Sequence, residues 1–305
     1  MPEPTPTTGT LQKSSVLVTG ATGNLGREVV DRLRSQDARV RSLARRRTVA
    51  RPGVEAMAGD LTDPTVVRAA LAGIDTVFLV WPLLDSVPAH DLVKVLAEAA
   101  PRVVYLSTAA IDDGAVRQSD PIVQVHADLE ALLHGAGLRP LVLRSDTLAS
   151  NARGWTSQLA AGDVVAGPDI ARTAVVDERD VADAAVAALL GSHNAGPVHG
   201  PYVLTGPEVL GRADQVDLLG AALRRRLRFE AVPAGLARAR MLADGRPEQL
   251  VEALISASLH RPQSHRVTDH VERLTGHPAG TFARWAIDHA VEFSHAAEVS
   301  RPEDA

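Results

Sequence analysis

A glycine-rich turn between a predicted strand and a predicted helix is the feature that most constrains this chain. The turn reads Gly20-Ala-Thr-Gly23-Asn-Leu-Gly26, a G-x-x-G-x-x-G pattern. Before it lies the β-branched run SVLVT at 15–19, and after it residues 24–35 place apolar side chains at helical spacing. Glycine tolerates the positive φ of a tight turn, and a missing side chain lets an anion approach the amides at the helix N-terminus.

This strand, turn and helix together predict a site for the pyrophosphate of a dinucleotide, because the last glycine also permits close packing of the helix on the strand. The alternative is an inherited fold whose nucleotide site no longer binds. The residues expected at the cofactor are those of the turn, namely Gly20, Thr22, Gly23, Asn24, Leu25 and Gly26.

The end of the second predicted strand bears on which dinucleotide binds. It reads Leu43-Ala-Arg45-Arg46-Arg47 and carries no carboxylate, whereas an NAD-selective site usually has one there for the ribose 2′-hydroxyl. A guanidinium instead grips a 2′-phosphate in fork geometry. The sequence therefore predicts NADP(H) in preference to NAD(H), bound first by Arg45 and second by Arg46. The alternative is a solvated basic loop.

Two further segments are expected beside the cofactor because they follow strands of the same predicted sheet. Asp60 and Leu61 come after the third strand, where a polar residue commonly flanks the adenine in this fold, while Asp63 before Pro64 reads as a helix N-cap. Past the fourth strand, Val80, Trp81 and Pro82 are expected to border the nicotinamide or the pyrophosphate.

Strand and helix alternate through the first half of the chain. Continuous apolar strands indicate that both sheet faces are covered. The predicted class is α/β, a Rossmann-type doubly wound parallel sheet. The predicted strands are 15–19, 38–44, 54–58, 76–80, 102–107 and 138–144, and the helices between them are 24–35, 64–72, 89–100 and 122–134.

The regular alternation of strand and helix ends after Arg144. Residues 151–170 read as irregular, 172–176 and 202–205 as strands, 178–190 as a helix, and the chain beyond Pro207 is mostly helical, including 267–274. This pattern predicts a smaller, mostly helical C-terminal substrate lobe over the carboxyl edge of the sheet. The expected division is a disordered leader at 1–13, an NADP-binding Rossmann domain at 14–150 to which 171–205 returns, a lobe at 151–170 and 206–295, and a tail at 296–305.

Composition excludes several classes of function. The net charge of -5 argues against a nucleic-acid partner, and the absence of cysteine excludes a disulfide scaffold and a thiol nucleophile. No apolar run approaches the length of a membrane span, and the N-terminus is no secretory signal, so a cytoplasmic protein is expected. His260, His265 and His270 lack ligand spacing, and no metal is expected. The expected partner is a small-molecule substrate, bound by a monomer or homodimer.

Several motifs together resemble the NmrA-like branch of the atypical short-chain dehydrogenase/reductases. They are VLVTGATGNLGREVVDRL at 16–33, GDLTD at 59–63, VVYLS at 103–107, HADLEALLHGAGLRPLVLR at 126–144, VDERDVAD at 176–183 and LTGPE at 204–208. The resemblance implies an NADP-binding domain, a small C-terminal lobe and a substrate between them over the nicotinamide. Members of the branch include quinone and aromatic-compound reductases, isoflavone-reductase-like enzymes and nucleotide-sensing regulators.

The chain departs from that family at the catalytic helix. Superfamily reductases generally use Tyr-x-x-x-Lys there, and taking Glu130 as the family's helix glutamate places Ile122 at the tyrosine and His126 at the lysine. His126 is expected to bond the ribose or to act as a general acid near neutral pH. The alternative is a helix residue bonded to Glu130.

The resemblance also suggests residues around the substrate. Ser107 and Thr108 sit where superfamily members place a hydroxyl over the substrate, although strand-end hydroxyls often satisfy only backbone groups. Asn151 and Trp155, past the sixth strand, are expected to line the substrate pocket. We thus take His126 and Ser107 as candidate catalytic residues, with Thr108, Asn151 and Trp155 as candidate substrate contacts.

The sequence favours an NADP(H)-dependent reductase of a small apolar carbonyl, enone or quinone compound. The missing Tyr and Lys keep two alternatives open, an NADP(H)-sensing regulator without turnover and a non-redox dehydratase or cyclase on the same fold. A roomy apolar pocket over the nicotinamide would favour the enzyme, and a filled one would favour the sensor.

Overall fold

The computed structural model describes residues 14–46, 51–191 and 200–293, so the predicted leader and tail lie outside the described residues. The strands of this part of the chain are β1 (Ser15–Thr19), β2 (Arg39–Ala44), β3 (Val54–Ala58), β4 (Thr76–Leu79), β5 (Arg102–Thr108), β6 (Leu141–Ser145), β7 (Val164–Gly167), β8 (Thr173–Ala174), β9 (Tyr202–Leu204), β10 (Val209–Leu210) and β11 (Arg228–Ala231).

Helices connect these strands and dominate the second half. They are α1 (Asn24–Ser35), α2 (Pro64–Leu71), α3 (Ala89–Ala99), α4 (Pro121–Gly135), a 3₁₀ helix (Ala149–Trp155), α5 (Thr156–Ala161), α6 (Glu178–Leu190), α7 (Arg212–Leu223), α8 (Ala234–Ala243), α9 (Glu248–His260), α10 (His270–Thr275) and α11 (Phe282–Asp288). Among the described residues, no helix combines the length and the apolar character needed to cross a membrane.

The main sheet has seven strands in the order β3-β2-β1-β4-β5-β6-β9, and every neighbouring pair is parallel. The chain runs outward from β1 to β3 on one side, then crosses to β4 and runs outward the other way. The carboxyl ends of β1 and β4 therefore form the switch point at which sheets of this kind bind ligands. The predicted doubly wound parallel sheet is confirmed.

Alternate residues of the central strands point into two separate cores. Val16 and Val18 of β1 lie in the cluster packed by α1 and α6, whereas Leu17 faces the opposite cluster packed by α2, α3 and α4. Each of these three side chains is at most 1% exposed. This period-2 split explains why the strand carries no polar residue between its ends.

The second half forms its own core and differs from the predicted elements in three places. Residues 151–170 are not irregular, because they contain part of the 3₁₀ helix, α5 and β7, and β7 pairs in parallel with the distant β11. The strand predicted at 172–176 is reduced to the two residues of β8. The helix predicted at 267–274 begins only at His270, because Thr268 bonds Val203 O of β9.

A third cluster holds this lobe together and contains Trp155, Phe282 and Trp285. β9 rejoins the main sheet beside β6, in line with the predicted return of 171–205 to the first domain, of which 192–199 lie outside the described residues. The domain boundaries themselves stay a prediction.

Candidate functional site

The glycine turn is closed by its own backbone. Gly20 has φ of +66°, and its carbonyl accepts a hydrogen bond from Gly23 N at 3.0 Å. A Cβ on Gly26 would lie 2.1 Å from Gly20 O, so the last glycine is required for the helix to pack against the turn. A Cβ on Gly23 would meet only Gly20 O, at 3.4 Å, so that position faces open space. The first and last glycines are thus needed by the fold, and the middle one leaves room for a ligand.

The N-terminus of α1 lacks the side-chain cap that three other helices of this sheet have. Asp63, Asp120 and Asp177 cap α2, α4 and α6 through side-chain oxygens, whereas Gly23 offers none and the first turn of α1 holds no acidic residue. The first amides of a helix need an external acceptor. An open, uncapped helix start next to Gly23 fits a pyrophosphate, whose charge the helix dipole favours.

The individual residues of the turn contribute differently. Thr22 and Gly23 are exposed at its tip, and Asn24 is partly buried. Leu25 is 6% exposed and packs in the core with α6, so only its amide can reach the cofactor. The predicted role of Leu25 is therefore limited to its backbone.

The Thr19 hydroxyl connects the ends of β1 and β4 at the switch point. Thr19 accepts a hydrogen bond from Val80 N and donates toward Phe78 O and Val80 O, which fixes the end of β4 beside the turn. Val80 is the nearest neighbour of Gly20, since a Cβ there would lie 3.1 Å from Val80 Cβ. Val80 therefore lies beside the glycine turn, and its contact with the coenzyme stays a prediction.

Trp81 departs from the expectation. Its indole is 6% exposed, packs in the core under α3 and donates to Asp85 O at 3.0 Å. The side chain is buried because an indole contributes more by filling the core than by lining a wet cleft. Pro82 is exposed beside it. Any cofactor contact of Trp81 is therefore restricted to its backbone.

The predicted 2′-phosphate site is an exposed basic rim at the end of β2. Arg45 and Arg46 are both exposed, and neither forms an ion pair with another described residue. Asp60 accepts hydrogen bonds from Thr62 N and Oγ1, which lower its pKa together with the nearby charge of Arg45. Leu61 packs partly against the core.

A cavity of about 1140 Å³ opens between the carboxyl edge of the sheet and the C-terminal lobe. The residues predicted for catalysis and substrate binding all line it, namely Ser107, Thr108, His126, Asn151 and Trp155, and so does Ile122 at the position of the family's tyrosine. Their segments converge because β5 and β6 end at this edge, α4 follows β5 and the 3₁₀ helix follows β6. The sequence prediction of a substrate cleft at this edge therefore coincides with the large cavity.

His126 is bonded to a tyrosine rather than to Glu130, so the alternative of a local bond along the helix is wrong. The Tyr105 hydroxyl lies 2.9 Å from His126 Nδ1 and has no other partner among the described residues. A hydroxyl that donates to Nδ1 leaves the ring proton on Nε2. Burial lowers the pKa of His126 to about 4 and raises that of Tyr105. The imidazole is thus neutral near pH 7, which does not support the expected general-acid role.

Ser107 belongs to a neighbouring network of charges. Its hydroxyl donates to Glu130 Oε1 at 2.5 Å, and Arg144 donates to both oxygens of Glu130 at 2.9 and 2.7 Å. Arg144 also forms a fork with Asp113 at 2.8 and 2.7 Å. The network includes Glu130 and Arg144 of the motif at 126–144, whereas His126 of the same motif lies outside it. Because the Ser107 proton is engaged by Glu130, the hydroxyl faces a substrate only as an acceptor.

Three residues of the site were not predicted, and two of them line the cavity. Tyr105 is fully buried in β5 and bonds the cavity residue His126; it shares a strand face with Ser107 just as His126 shares a helix face with Glu130. Asp146 lines the cavity, and burial raises its pKa. Arg212 reaches the same cavity from α7. The period-2 and i, i+4 spacings could have paired β5 with α4, but no local signal identifies Arg212.

One group of side chains within the described residues lies close enough to hold a metal ion: Asp180, Asp183 and His277. His260, His265 and His270, whose spacing does not suit metal ligands, are not in it. The two carboxylates of this cluster already accept hydrogen bonds from the protein, because Arg32 donates to Asp183 at 2.5 Å and Gly280 N donates to Asp180 at 2.7 Å. The cluster is therefore satisfied by ionic and backbone contacts.

Comparisons with known proteins agree with this geometry. The family model described as NAD(P)H-binding matches residues 20–191. A (4-alkanoyl-5-oxo-2,5-dihydrofuran-3-yl)methyl phosphate reductase of Streptomyces griseus is 36% identical over 286 residues, covering 92% of this chain and 99% of that protein. An NAD(P)H azoreductase of Xenophilus azovorans is 30% identical over 291 residues, covering 92% and 100%.

A solved structure extends the likeness to the whole fold. The NADPH-dependent quinone oxidoreductase of Escherichia coli, complexed with NADPH, aligns with a TM-score of 0.71 and 19% identity over 89% of this chain and 98% of that one. At this identity the likeness concerns the fold. The family model and the reductases at 30% identity and above show that this protein belongs to the NAD(P)H-binding atypical short-chain dehydrogenase/reductases and is an NAD(P)H-dependent reductase.

Proposed function

We propose that the protein reduces a small conjugated carbonyl compound, an enone or a quinone, with hydride from NADPH. The observation that carries the proposal is the neutral His126 in a roomy cavity at the carboxyl edge of β5 and β6. Such a group donates a hydrogen bond without donating a proton. The cavity also supports an enzyme over a sensor, since a sensor would need no space for a second molecule.

The names of the relatives point to the same kind of electrophile. The Streptomyces protein is named for a dihydrofuranone that carries an alkanoyl group, and the Escherichia coli structure is that of a quinone oxidoreductase. Both names describe carbonyl groups in unsaturated rings. We take this shared chemistry, and neither compound itself, as the support for the substrate class.

NADPH bound at the glycine turn supplies a hydride. When a conjugated carbonyl accepts it at carbon, negative charge develops on the carbonyl oxygen. The Nε2–H of His126 donates to that oxygen, in the manner of a fixed dipole that stabilises an oxyanion. Apolar side chains such as Ile122 and Trp155 exclude water from the rest of the pocket and strengthen this bond.

This chemistry explains how the chain works without the usual tyrosine acid. An enolate or hydroquinone anion is much less basic than the alkoxide formed from a simple ketone. It therefore needs a hydrogen bond during hydride transfer and takes its proton from water afterwards. We assign Tyr105 as a positioning residue: with its hydroxyl as the donor to Nδ1, the ring proton of His126 is on Nε2.

The test follows NADPH absorbance in the presence of cyclic enones, quinones and saturated ketones of matched size. We expect turnover of the enones or quinones and little turnover of the ketones. Tyr105→Phe should lower kcat several-fold without changing the affinity for NADPH. No turnover of any conjugated carbonyl, despite tight NADPH binding, would contradict the proposal.

A further inference from the structure

An arginine without a protein partner faces the cavity from the C-terminal lobe. Arg212 is the first residue of α7, is partly buried and lines the same cavity as His126. Its guanidinium carbon lies 5.2 Å from the centre of the Trp155 ring, a cation–π distance. Among the described residues, none accepts a hydrogen bond from any of its five N–H groups or forms an ion pair with it.

Other arginines in the second half of the chain have carboxylate partners. Arg153, Arg179 and Arg225 each have a carboxylate at 2.6 or 2.7 Å. In the cavity wall, Arg261 is neutralised by Asp120 at 2.7 Å. Most partly buried guanidinium groups of the described chain are therefore paired, whereas Arg212 and Arg246 of the cavity wall form no ion pair with a described residue. Of these two, Arg212 lies against an aromatic ring.

Arg212 stays charged in this setting. Burial lowers its pKa to about 10, still well above neutral pH, and the charge of Asp169 acts only from beyond ion-pair distance. A partly buried cation without a counter-charge is unfavourable unless a ligand supplies one. The cation–π contact with Trp155 holds the guanidinium at the cavity wall, and its N–H groups remain free for an incoming oxyanion.

We propose that Arg212, held against Trp155, binds an anionic group of the substrate, a phosphate monoester or a carboxylate. The proposal rests on the proposed reductase function in that the anion and the reducible carbonyl belong to one molecule. The two ends of the substrate then have separate partners: Arg212 orients the anion, and His126 polarises the carbonyl. The anion site would also select against neutral quinones of the same size.

Calorimetry on the NADPH-saturated protein tests the anion site without turnover. Methyl phosphate and acetate are titrated separately into the wild type, Arg212→Gln, Arg212→Lys and the control Arg226→Gln, which removes an exposed arginine beyond α7. We expect saturable binding of at least one anion, weakened tenfold or more in Arg212→Gln, less in Arg212→Lys and less than twofold in the control. The tighter anion identifies the substrate group as phosphate or carboxylate.

The result that overturns the proposal is no saturable binding of either anion to the wild type, or equal affinity in the wild type and Arg212→Gln. Unchanged thermal unfolding of the variants shows that they are folded, and Arg212→Lys provides a second folded variant. In kinetics, Arg212→Gln should raise KM at least tenfold for an enone that carries the anion and less than twofold for its uncharged parent. If neither enone is reduced, the reductase proposal fails while calorimetry still decides the anion site.

Discussion

The two ends of the cleft are built in different ways. The coenzyme end comes from one continuous segment, β1, the glycine turn and α1, and it presents backbone groups. The substrate end collects side chains from β5, α4, the 3₁₀ helix and α7, which lie far apart in the sequence. A backbone site tolerates no added atom at a close approach, whereas a side-chain site can lose one group and keep its shape. The two ends should therefore respond differently to substitution.

The largest effect is expected from Gly26→Ala. The new Cβ would lie 2.1 Å from Gly20 O, and relief requires the backbone to move, at a cost of about 3 kcal/mol or more. Gly23→Ala is the matched control, because its Cβ points into open space. We expect Gly26→Ala to lower Tm markedly and Gly23→Ala to leave Tm unchanged while weakening NADPH binding. Equal Tm values for both variants would remove the distinction between a glycine of the fold and a glycine of the site.

At the substrate end, acid should destabilise the protein through His126. Its pKa falls from 6.5 to about 4 on folding because burial disfavours the charged form, so the unfolded chain binds the extra proton first. The free energy of unfolding therefore has its full value above pH 6.5 and decreases by up to about 3 kcal/mol as the pH falls toward 4. Denaturant titrations at several pH values should show this slope in the wild type.

His126→Gln is the comparison for that slope. Glu130, Asp120 and Arg261 also act on the imidazole and remain in the variant. The pH dependence between 6.5 and 4 should therefore flatten by the part that His126 contributes. A slope equal to that of the wild type would mean that His126 is not buried as a neutral group.

The same substitution tests catalysis. Loss of the Nε2–H donor should lower kcat about a hundredfold, the usual effect of removing one oxyanion donor. His134→Gln, an exposed position on the same helix, should leave kcat unchanged. Stopped-flow measurement of hydride transfer at saturating NADPH separates the two variants. If the Kd for NADPH differs between His126→Gln and the wild type, His126 acts at the coenzyme end of the cleft rather than at the substrate end.

A smaller effect is expected at the basic rim. Arg45→Gln should raise the Kd for NADPH about tenfold, because one charge-assisted contact with the 2′-phosphate is lost. NADH, which lacks that phosphate, should bind the wild type and the variant alike. Arg46→Gln should show a weaker form of the same change. If Arg45→Gln weakens the binding of NADPH and NADH equally, Arg45 acts through its general positive potential rather than through a contact with the 2′-phosphate.

The sequence predicts the coenzyme end well because that end is local. Asn24–Ser35 and Val54–Ala58 have the predicted bounds, and the glycine pattern specifies its own backbone geometry. At the substrate end, the sequence identifies His126 but not its partner, because the bond to Tyr105 depends on how α4 packs on β5. Arg212 carries no signal in its own segment. Its role follows from a cavity that only the folded lobe creates.

Transfer of deuterium from C4 of labelled NADPH to an enone tests the central claim most directly, because it requires both ends of the cleft to act on one substrate. The account predicts a reduced product one mass unit heavier, formed stereospecifically from one face of the coenzyme. It also predicts much slower transfer in His126→Gln with NADPH still bound. If neither C4 face of the coenzyme, labelled in turn, delivers deuterium to the product, or if a protein saturated with NADPH forms no product, the account is contradicted.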